Sequence, residues 1–432
     1  MTPRKLAASL IALAIAFSAL HGGAGLAASV AGTKCTAIGK TLVSGGKTYV
    51  CKAVGRNKSW ALKSVTAAPT PSPSVVTGSF AACRLPVADN RGDVALGIPR
   101  IAARGKDTGD VHSTVIFVDF PDAKATMTPD AAFAKINPRA TQIFSEVSYG
   151  KLNYMLEPNL HWFTMSKPST AYSYASFDGQ HSFAAEALAL ADPTTDFSKS
   201  DSFVIITNPD QRALPNGPAV SYSADFGFHL DGNNLHNGAT SGADINYWGA
   251  IWLNHEISHS FGVVDLYSAT GNTYETQFQY TGEFSYMGLS DERSQAPGLL
   301  AWERYVLGWL DESQLVCSPT GVGDYSLTPI ETAGGIKAVV IPTGRTTALV
   351  VEDRRALGLD SKLAKPGLLV YRVDTSKTSG YGPVQVISNA TLAVDPRYLK
   401  APLAVGESVT VDGFTFKHTA TASGSDALAV TR

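Results

Sequence analysis

The stretch Leu253–Tyr267, LNHEISHSFGVVDLY, holds two histidines four positions apart, with a glutamate directly after the first. Residues four apart on a helix lie on the same face, so His255 and His259 would direct both imidazoles to one point. Two imidazoles at this spacing are typical ligands of a tetrahedral Zn²⁺ ion. The alternative is a core helix whose two histidines are satisfied by hydrogen bonds. With only nine histidines in the chain, the pattern favours a zinc helix over coincidence.

The residues before the histidines predict a helix with one inward face. Trp248, Ile251 and Trp252 fall at helical intervals from His255. Large apolar side chains and both imidazoles would therefore share that face. Glu256 is not needed as a ligand, and it is placed to take a proton from a metal-activated water and pass it to a departing amine.

The residues after the helix predict a third ligand. Gly262 follows His259 by three positions, where a chain leaving a helix can turn with positive φ, and Asp265 follows three positions later. The pattern H-E-x-x-H-x-x-G-x-x-D thus offers a carboxylate from the returning chain and leaves the fourth position to water. An exposed turn residue is the alternative role for Asp265. Glu283 and Glu303 are the alternative third ligands.

Further residues near this stretch have candidate supporting roles. In FSYMGL, Met287 precedes a glycine, which is typical of the methionine turn beneath the metal of metzincin-like enzymes, with core packing as the alternative. Tyr286 and Tyr305 are candidate donors to an oxyanion, with packing beside a cleft as the alternative. Residues 229–248 are rich in Asp, Asn and Gly and predict a solvated loop, with a structural Ca²⁺ site as the alternative.

The flanking sequence predicts mixed α and β structure. The runs Ser113–Asp122 and Asp201–Asp210 are β-branched and aromatic and end in Pro-Asp turns, as buried strands do. Segments 129–151 and 179–192 have the apolar spacing of helices.

The sequence pattern changes from mixed α and β to β after Cys317, which predicts a second domain. Short β runs separated by Gly, Pro and Asp continue to the end of the chain, as in a β-sandwich of about 115 residues. We therefore predict an α+β fold, with a catalytic domain over residues 81–316 and a β-sandwich over residues 317–432.

The N-terminus has the layout of a secretory signal peptide. Two basic residues precede an apolar run, Leu6–Leu20, and small residues follow up to a cleavage site near Ala27–Ala28. An uncleaved anchor is the alternative to a signal peptide at residues 1–28. The sequence contains no second apolar run long enough to span a bilayer. We expect a secreted, extracellular protein without a membrane span in its mature chain.

Four cysteines follow the signal segment, and an even count in an exported chain predicts disulfides. Three pairings are possible, and we predict Cys35 with Cys51 and Cys83 with Cys317. The first pair would close a short hairpin-like segment, and the second would tie the start of the large domain to its end. Their wide scatter argues against a zinc-cysteine site.

Residues 32–64 predict a small β module closed by the first disulfide, because short β runs flank Ser44-Gly45-Gly46. Residues 65–80 are rich in Pro, Ser and Thr and predict a linker. The module could contact a cell surface, and a spacer without a ligand is the alternative.

Charge excludes two classes of partner. The 432-residue chain has a formal net charge of −2 and no long run of one sign. It therefore offers no basic face to nucleic acid or to an anionic membrane.

Several motifs in a fixed order resemble the immune inhibitor A family of secreted bacterial zinc metallopeptidases. They are HEISHSFGVVDLY (255–267), VIFVDFPD (115–122), SYGKLNY (148–154), YMG (286–288) and LLAWERYVLGWL (299–310). The β region is also similar to the family in TALVVEDRRALGLDSKL (347–363) and KPGLLVYRVD (365–374). The short segment before the first strand leaves little room for the family's inhibitory pro-segment, and the cysteine module is a departure from the family pattern.

The resemblance implies a zincin- or metzincin-like catalytic domain with one catalytic Zn²⁺. His255, His259 and Asp265 match the ligand positions, and Glu256 matches the catalytic acid/base. We therefore expect a zinc-dependent endopeptidase that acts on protein or peptide substrates. One alternative is a surface-binding or adhesive protein with a structural or degenerate zinc site, and another is a hydrolase of a non-peptide bond.

Overall fold

The computed structural model describes residues 33–44, 47–54, 57–62, 79–88, 94–101 and 104–432. The predicted signal peptide, residues 1–28, lies outside these ranges, as does the predicted linker up to residue 78. Within the described ranges, no helix combines the length and apolarity needed to cross a membrane. The chain divides into two compact units, Met1–Ser72 and Pro73–Arg432.

The first unit contains a three-stranded antiparallel sheet. Its strands are β1 (Thr41–Ser44), β2 (Lys47–Val54) and β3 (Asn57–Leu62), in that order. Cys51 on the central strand is buried and forms a disulfide with Cys35. The predicted small β module and its disulfide are therefore confirmed.

The second unit begins with a five-stranded mixed sheet, in the spatial order β5-β4-β6-β10-β7. The strands of this part of the chain are β4 (Gly109–Asp119), β5 (Leu152–Thr164), β6 (Ser202–Thr207), β7 (Ala219–Ser221), β8 (Phe228–Leu230), β9 (Asn233–Leu235) and β10 (Asn237–Thr240). Strands β8 and β9 form a separate hairpin. Four strands of the large sheet are parallel, and β7 alone runs antiparallel, against β10.

Helices cover both faces of this sheet. The helices of the second unit are α1 (Pro129–Phe133), α2 (Arg139–Val147), α3 (Phe177–Ala191), α4 (Ile245–Trp248), α5 (Ala250–Ser260), α6 (Tyr274–Gln277) and α7 (Ala301–Val306). On β4, Val115 and Phe117 share a core with α2 and α5, whereas Ile116 and Val118 share a core with α3. A strand buried on both faces needs apolar residues at successive positions, which explains its continuous β-branched run.

Short 3₁₀ turns connect several of these elements. They span Phe80–Cys83, Ser169–Ala171, Asp192–Thr194, Ala224–Phe226, Glu312–Gln314 and Gly358–Asp360.

The rest of the second unit consists of two sheets. Their strands are β11 (Leu315–Cys317), β12 (Gly323–Leu327), β13 (Ala338–Pro342), β14 (Thr347–Arg354), β15 (Gly367–Asp374), β16 (Val384–Val386), β17 (Ser408–Val411), β18 (Phe414–Ala422) and β19 (Ser425–Thr431). The orders are β11-β13-β14-β15-β16 and β12-β19-β18-β17. Apolar side chains of both sheets, such as Leu349 and Phe416, form one core between them, as in a β-sandwich.

The β region and the α/β region of this unit share a second core. Trp302 of α7 and Tyr371 of β15 belong to the same hydrophobic cluster, and the hydroxyl of Tyr371 accepts a hydrogen bond from the backbone N–H of Trp302 at 3.2 Å. The predicted disulfide between Cys83 and Cys317 is present. The fold is therefore mixed α+β with several sheets and both predicted disulfides.

One expectation about the fold is wrong. Residues 229–248 do not form a solvated loop, because they contribute β9, β10 and α4, and β10 is buried inside the sheet. A Cβ atom on Gly238 would lie 2.3 Å from the carbonyl oxygen of Phe203. Close approach of two strands therefore requires a small residue here, and the usual β-branched signal is absent.

Candidate metal centre

Helix α5 holds the first two candidate ligands. Gly249, with φ +53°, separates it from α4, so Trp248 belongs to the shorter helix and the predicted face is interrupted there. Ile251 and Trp252 are buried, and the Trp252 indole N–H donates to the Gly217 carbonyl at 3.0 Å. This packing fixes the helix against the loop before β7.

The chain turns back directly after α5. Gly262 has φ +97°, and its N–H donates to the His259 carbonyl at 2.8 Å. This reversal brings Asp265 back to the histidines, where Oδ1 lies 3.2 Å from His255 Nε2 and 3.1 Å from His259 Nε2. The three predicted ligands thus form one cluster in the structure.

Backbone carbonyls set the protonation of both imidazoles. His255 Nδ1 lies 2.8 Å from the Tyr286 carbonyl oxygen, and His259 Nδ1 lies 2.9 Å from that of Val263. A carbonyl can only accept, so each Nδ1 carries a proton, and each Nε2 presents a lone pair once it gives up its own proton to bind a metal. The two Nε2 atoms are 3.2 Å apart. Two ring lone pairs and a carboxylate oxygen therefore converge.

The spacing of these three atoms fits a zinc ion. Bonds of about 2.0–2.1 Å in tetrahedral geometry would place ligand atoms about 3.3 Å apart. The separations here are 3.1, 3.2 and 3.2 Å. Two imidazoles and one carboxylate also form a donor set typical of zinc in hydrolases.

The second oxygen of Asp265 is held from the β region. Ser379, between β15 and β16, donates from Oγ to Asp265 Oδ2 at 2.8 Å and accepts from the Asp265 N–H at 2.8 Å. The Gly380 N–H donates to the Asp265 carbonyl at 3.0 Å. These contacts fix the carboxylate so that Oδ1 faces the histidines.

Mutual charge effects reinforce the cluster. Burial by itself would raise the pKa of Asp265, but the two histidines outweigh it and hold that pKa well below its ordinary value. Burial would likewise lower the pKa of His255, yet the hydrogen bond to Asp265 leaves it raised. The carboxylate is therefore ionised, as a ligand must be.

Glu256 faces the same cavity but is not part of the ligand cluster. Burial raises the pKa of Glu256 to about 8, while a hydrogen bond from the Ala219 backbone, at the start of β7, opposes the shift. A carboxyl group with a pKa near neutrality is suited to exchanging a proton with a substrate or with water.

The cavity around the cluster has a volume of about 1340 Å³. Asp244, Glu256 and Asp265 contribute carboxyl groups to its lining, and among the described residues no lysine or arginine lines it. Burial also raises the pKa of Asp244, to about 6.

The alternative third ligands are engaged elsewhere. Glu283 pairs with Arg397 at 2.7 Å and accepts from the Gln295 N–H at 2.8 Å. Glu303 is fully buried and accepts from Ser285 Oγ at 3.0 Å. Neither carboxylate is in the ligand cluster.

The candidate supporting residues act through their backbones. Tyr286 is buried with its hydroxyl 3.2 Å from Ser258 Oγ, and its carbonyl holds His255. The carbonyl of the buried Met287 accepts from the Leu266 N–H at 2.7 Å, beside Asp265. Their turn thus supports two ligands.

The two candidate oxyanion donors, Tyr286 and Tyr305, do not line the cavity. The Tyr305 hydroxyl instead donates to Glu312 at 3.0 Å. Tyr267 does line it, with its ring stacked on His255 at 6.2 Å between centroids.

Comparison with models of known protein families and with curated proteins yields no match for this chain. The likeness to immune inhibitor A therefore stays a prediction from the ordered motifs.

Proposed function

We propose that this chain is an exported zinc-dependent endopeptidase with a zincin- or metzincin-like catalytic fold. The observation that carries the proposal is the convergence of two imidazole lone pairs and one carboxylate oxygen within 3.2 Å of one another, beside Glu256. Hydrogen bonds between the rings and the carboxylate hold these atoms together, and a zinc ion would replace the bridging protons with three coordinate bonds. Both disulfides agree with export, because such bonds persist in oxidising compartments.

The edge of the sheet supports an extended peptide as the substrate. Among the described strands, β7 is the last of its sheet and borders the cavity. Val220 pairs with Gly238 of β10, whereas Ala219 and Ser221 occupy the alternate positions of the register. In an antiparallel pair, the backbone groups at such positions point away from the partner strand. The backbone groups of Ala219 already bond to Glu256 and to Gln180 Nε2. The groups of Ser221 can pair with an extended peptide, which provides recognition independent of side chains.

Glu256 carries the proton transfers in this proposal. A zinc ion on His255, His259 and Asp265 would polarise the scissile carbonyl and lower the pKa of an attacking water. Glu256 takes the proton of that water and delivers it to the departing amine nitrogen. Its place beside the Ala219 N–H puts it next to a peptide bound along β7.

Replacing Glu256 with Gln tests the proposal. The amide cannot accept the proton, so we expect cleavage of denatured casein to fall by at least about 100-fold with zinc binding retained. Zinc content would be measured by competition with a chromophoric chelator, and products by mass spectrometry.

Full activity in a folded, zinc-loaded Glu256→Gln protein would contradict this mechanism. A zinc-loaded wild-type protein that is inert on every unfolded protein would instead support an adhesive role. Products other than peptides would point to a non-peptide hydrolase.

A further inference from the structure

Two exposed aromatic rings and one buried ring form one wall of the cavity. Phe177 at the start of α3 and Phe226 after β7 are 45% and 53% exposed, and their rings make an edge contact at 5.2 Å between centroids. Tyr222 packs against Phe177 at 5.0 Å and is only 5% exposed. All three residues line the cavity. We call them the aromatic wall.

Polar contacts hold this wall to the edge strand. The Tyr222 hydroxyl donates to Gln180 Oε1 at 3.0 Å, and Gln180 Nε2 donates to the Ala219 carbonyl at 2.6 Å. His181 stacks on Phe177 at 5.6 Å, and its Nε2 lies 3.0 Å from the Phe226 carbonyl oxygen. The rings are therefore fixed in place before a ligand binds, so little conformational entropy is lost on binding.

Large aromatic rings left in water beside a cavity favour an apolar ligand. Fixed aromatic side chains supply much of the binding energy at recognition sites. An apolar side chain of a bound peptide would cover the exposed rings of Phe177 and Phe226.

We propose that the aromatic wall binds a bulky apolar side chain, preferably aromatic, on the amino-terminal side of the scissile bond. This inference rests on the proposed function and names the substrate class of that site. Strand β7 starts beside Glu256 and runs towards Tyr222. A peptide pairing antiparallel to it has its amino-terminal residues at the Tyr222 end. Three residues of strand span about 10 Å, so the wall meets the second or third residue before the cleaved bond.

Matched fluorogenic peptides test this specificity. They differ only in carrying Phe or Gly at the second and third positions before the cleaved bond. We expect zinc-loaded wild-type protein to prefer the Phe peptide by at least about tenfold in kcat/KM. The double substitution Phe177→Ser and Phe226→Ser should bring that ratio to within about twofold of one.

The control is Leu160→Ser on β5, the strand at the opposite edge of the sheet. Leu160 is 45% exposed, like Phe177, but lies outside the cavity lining. This variant should keep the wild-type ratio. A wild-type ratio near one, or a ratio unchanged in the double variant, overturns the inference while cleavage itself still supports the proposed function.

A binding measurement separates the two proposals. The zinc-loaded Glu256→Gln protein is titrated with the same two peptides by calorimetry. Binding of the Phe peptide at least about tenfold tighter, lost in the triple variant with both Ser substitutions, supports the inference even if no cleavage is found. Equal binding of the two peptides overturns it.

Discussion

Backbone carbonyls hold the Nδ1–H groups of both histidines. The orientation of the two rings therefore depends on the backbone conformation at Val263 and Tyr286 more than on the side chains of those residues. The carbonyl of Val263 is placed by the turn at Gly262, which has φ +97°. The carbonyl of Tyr286 follows Ser285, which has φ +79°. Both acceptors thus depend on residues in left-handed backbone conformations, which cost energy for residues other than glycine.

Asp265 is the only charged ligand of the proposed zinc site. Replacing it is therefore the most direct test of that site. An Asp265→Asn side chain keeps the shape but loses the charge that both imidazoles face. We expect zinc affinity to fall by at least about 100-fold, because loss of outer partners alone costs about 10- to 100-fold. A chelator competition titration would measure this change.

Glu283 and Glu303 supply the matched controls. Replacing either with Gln should leave zinc affinity within about threefold of wild type, because neither lies in the ligand cluster. Wild-type affinity in Asp265→Asn together with loss in one of the control variants would place the third ligand elsewhere.

Helix α7 carries a buried acid whose ionisation opposes folding. Glu303 accepts hydrogen bonds from Ser285 Oγ and the Leu300 N–H, yet burial raises the pKa of Glu303 to about 7. The folded state therefore holds this proton more tightly than the unfolded state does. The stability that Glu303 contributes is complete below about pH 4.5 and is lost as the pH rises through about 7.

Glu303→Gln should remove this pH dependence. A rise in pKa from 4.5 to about 7 corresponds to about 3 kcal/mol. We expect the free energy of unfolding of wild type, minus that of the variant, to fall by up to that amount between pH 4 and pH 8. Urea denaturation across this range would measure it.

Glu312→Gln is the control of opposite sign. Hydrogen bonding to Arg84 lowers the pKa of Glu312, so the same difference should not fall as pH rises. Parallel stability curves for wild type and Glu303→Gln would show that the buried carboxyl group is not linked to folding.

Elements with a strong apolar pattern could be predicted from the sequence, and the others could not. The runs that predicted β4 and β6 are continuous because both strands are buried on two faces. Strand β5 lacks this pattern, since its burial is irregular and its register with β4 shifts after Pro158. Strand β10 also lacks the β-branched pattern. Its Gly238 passes so close to Phe203 that a larger side chain would not fit there.

The candidate site also has a part that could be predicted from the sequence and a part that could not. Local spacing predicted His255, His259 and Asp265, because a helix and one turn fix their geometry. Ser379 is 114 positions from Asp265, and the aromatic wall joins α3 to the residues around β7. No spacing rule connects such distant positions, so only the tertiary structure brings them into one site.

The α/β and β regions of the second unit meet at the candidate site. Ser379 exchanges two hydrogen bonds with Asp265, and the Ala269 N–H donates to the Gly380 carbonyl at 2.9 Å. The β region thus supplies an outer partner of the third ligand, in addition to sharing a core with α7. We therefore expect the β region to contribute to the proposed metal affinity.

Ser379→Ala tests the contribution of the β region to zinc binding by removing one hydroxyl group. Without its hydrogen bond, Asp265 Oδ2 loses a donor and the carboxylate can rotate away from the histidines. We expect zinc affinity to fall by about 10- to 100-fold, measured by chelator competition, with near-wild-type stability in urea. Ser376→Ala is the matched control, because Ser376 lies in the same segment and bonds to Asp374 instead. Equal zinc affinity in the two variants would show that the Ser379 hydroxyl plays no part in holding the ligand, whereas a loss confined to Ser379→Ala would establish that the site spans both regions.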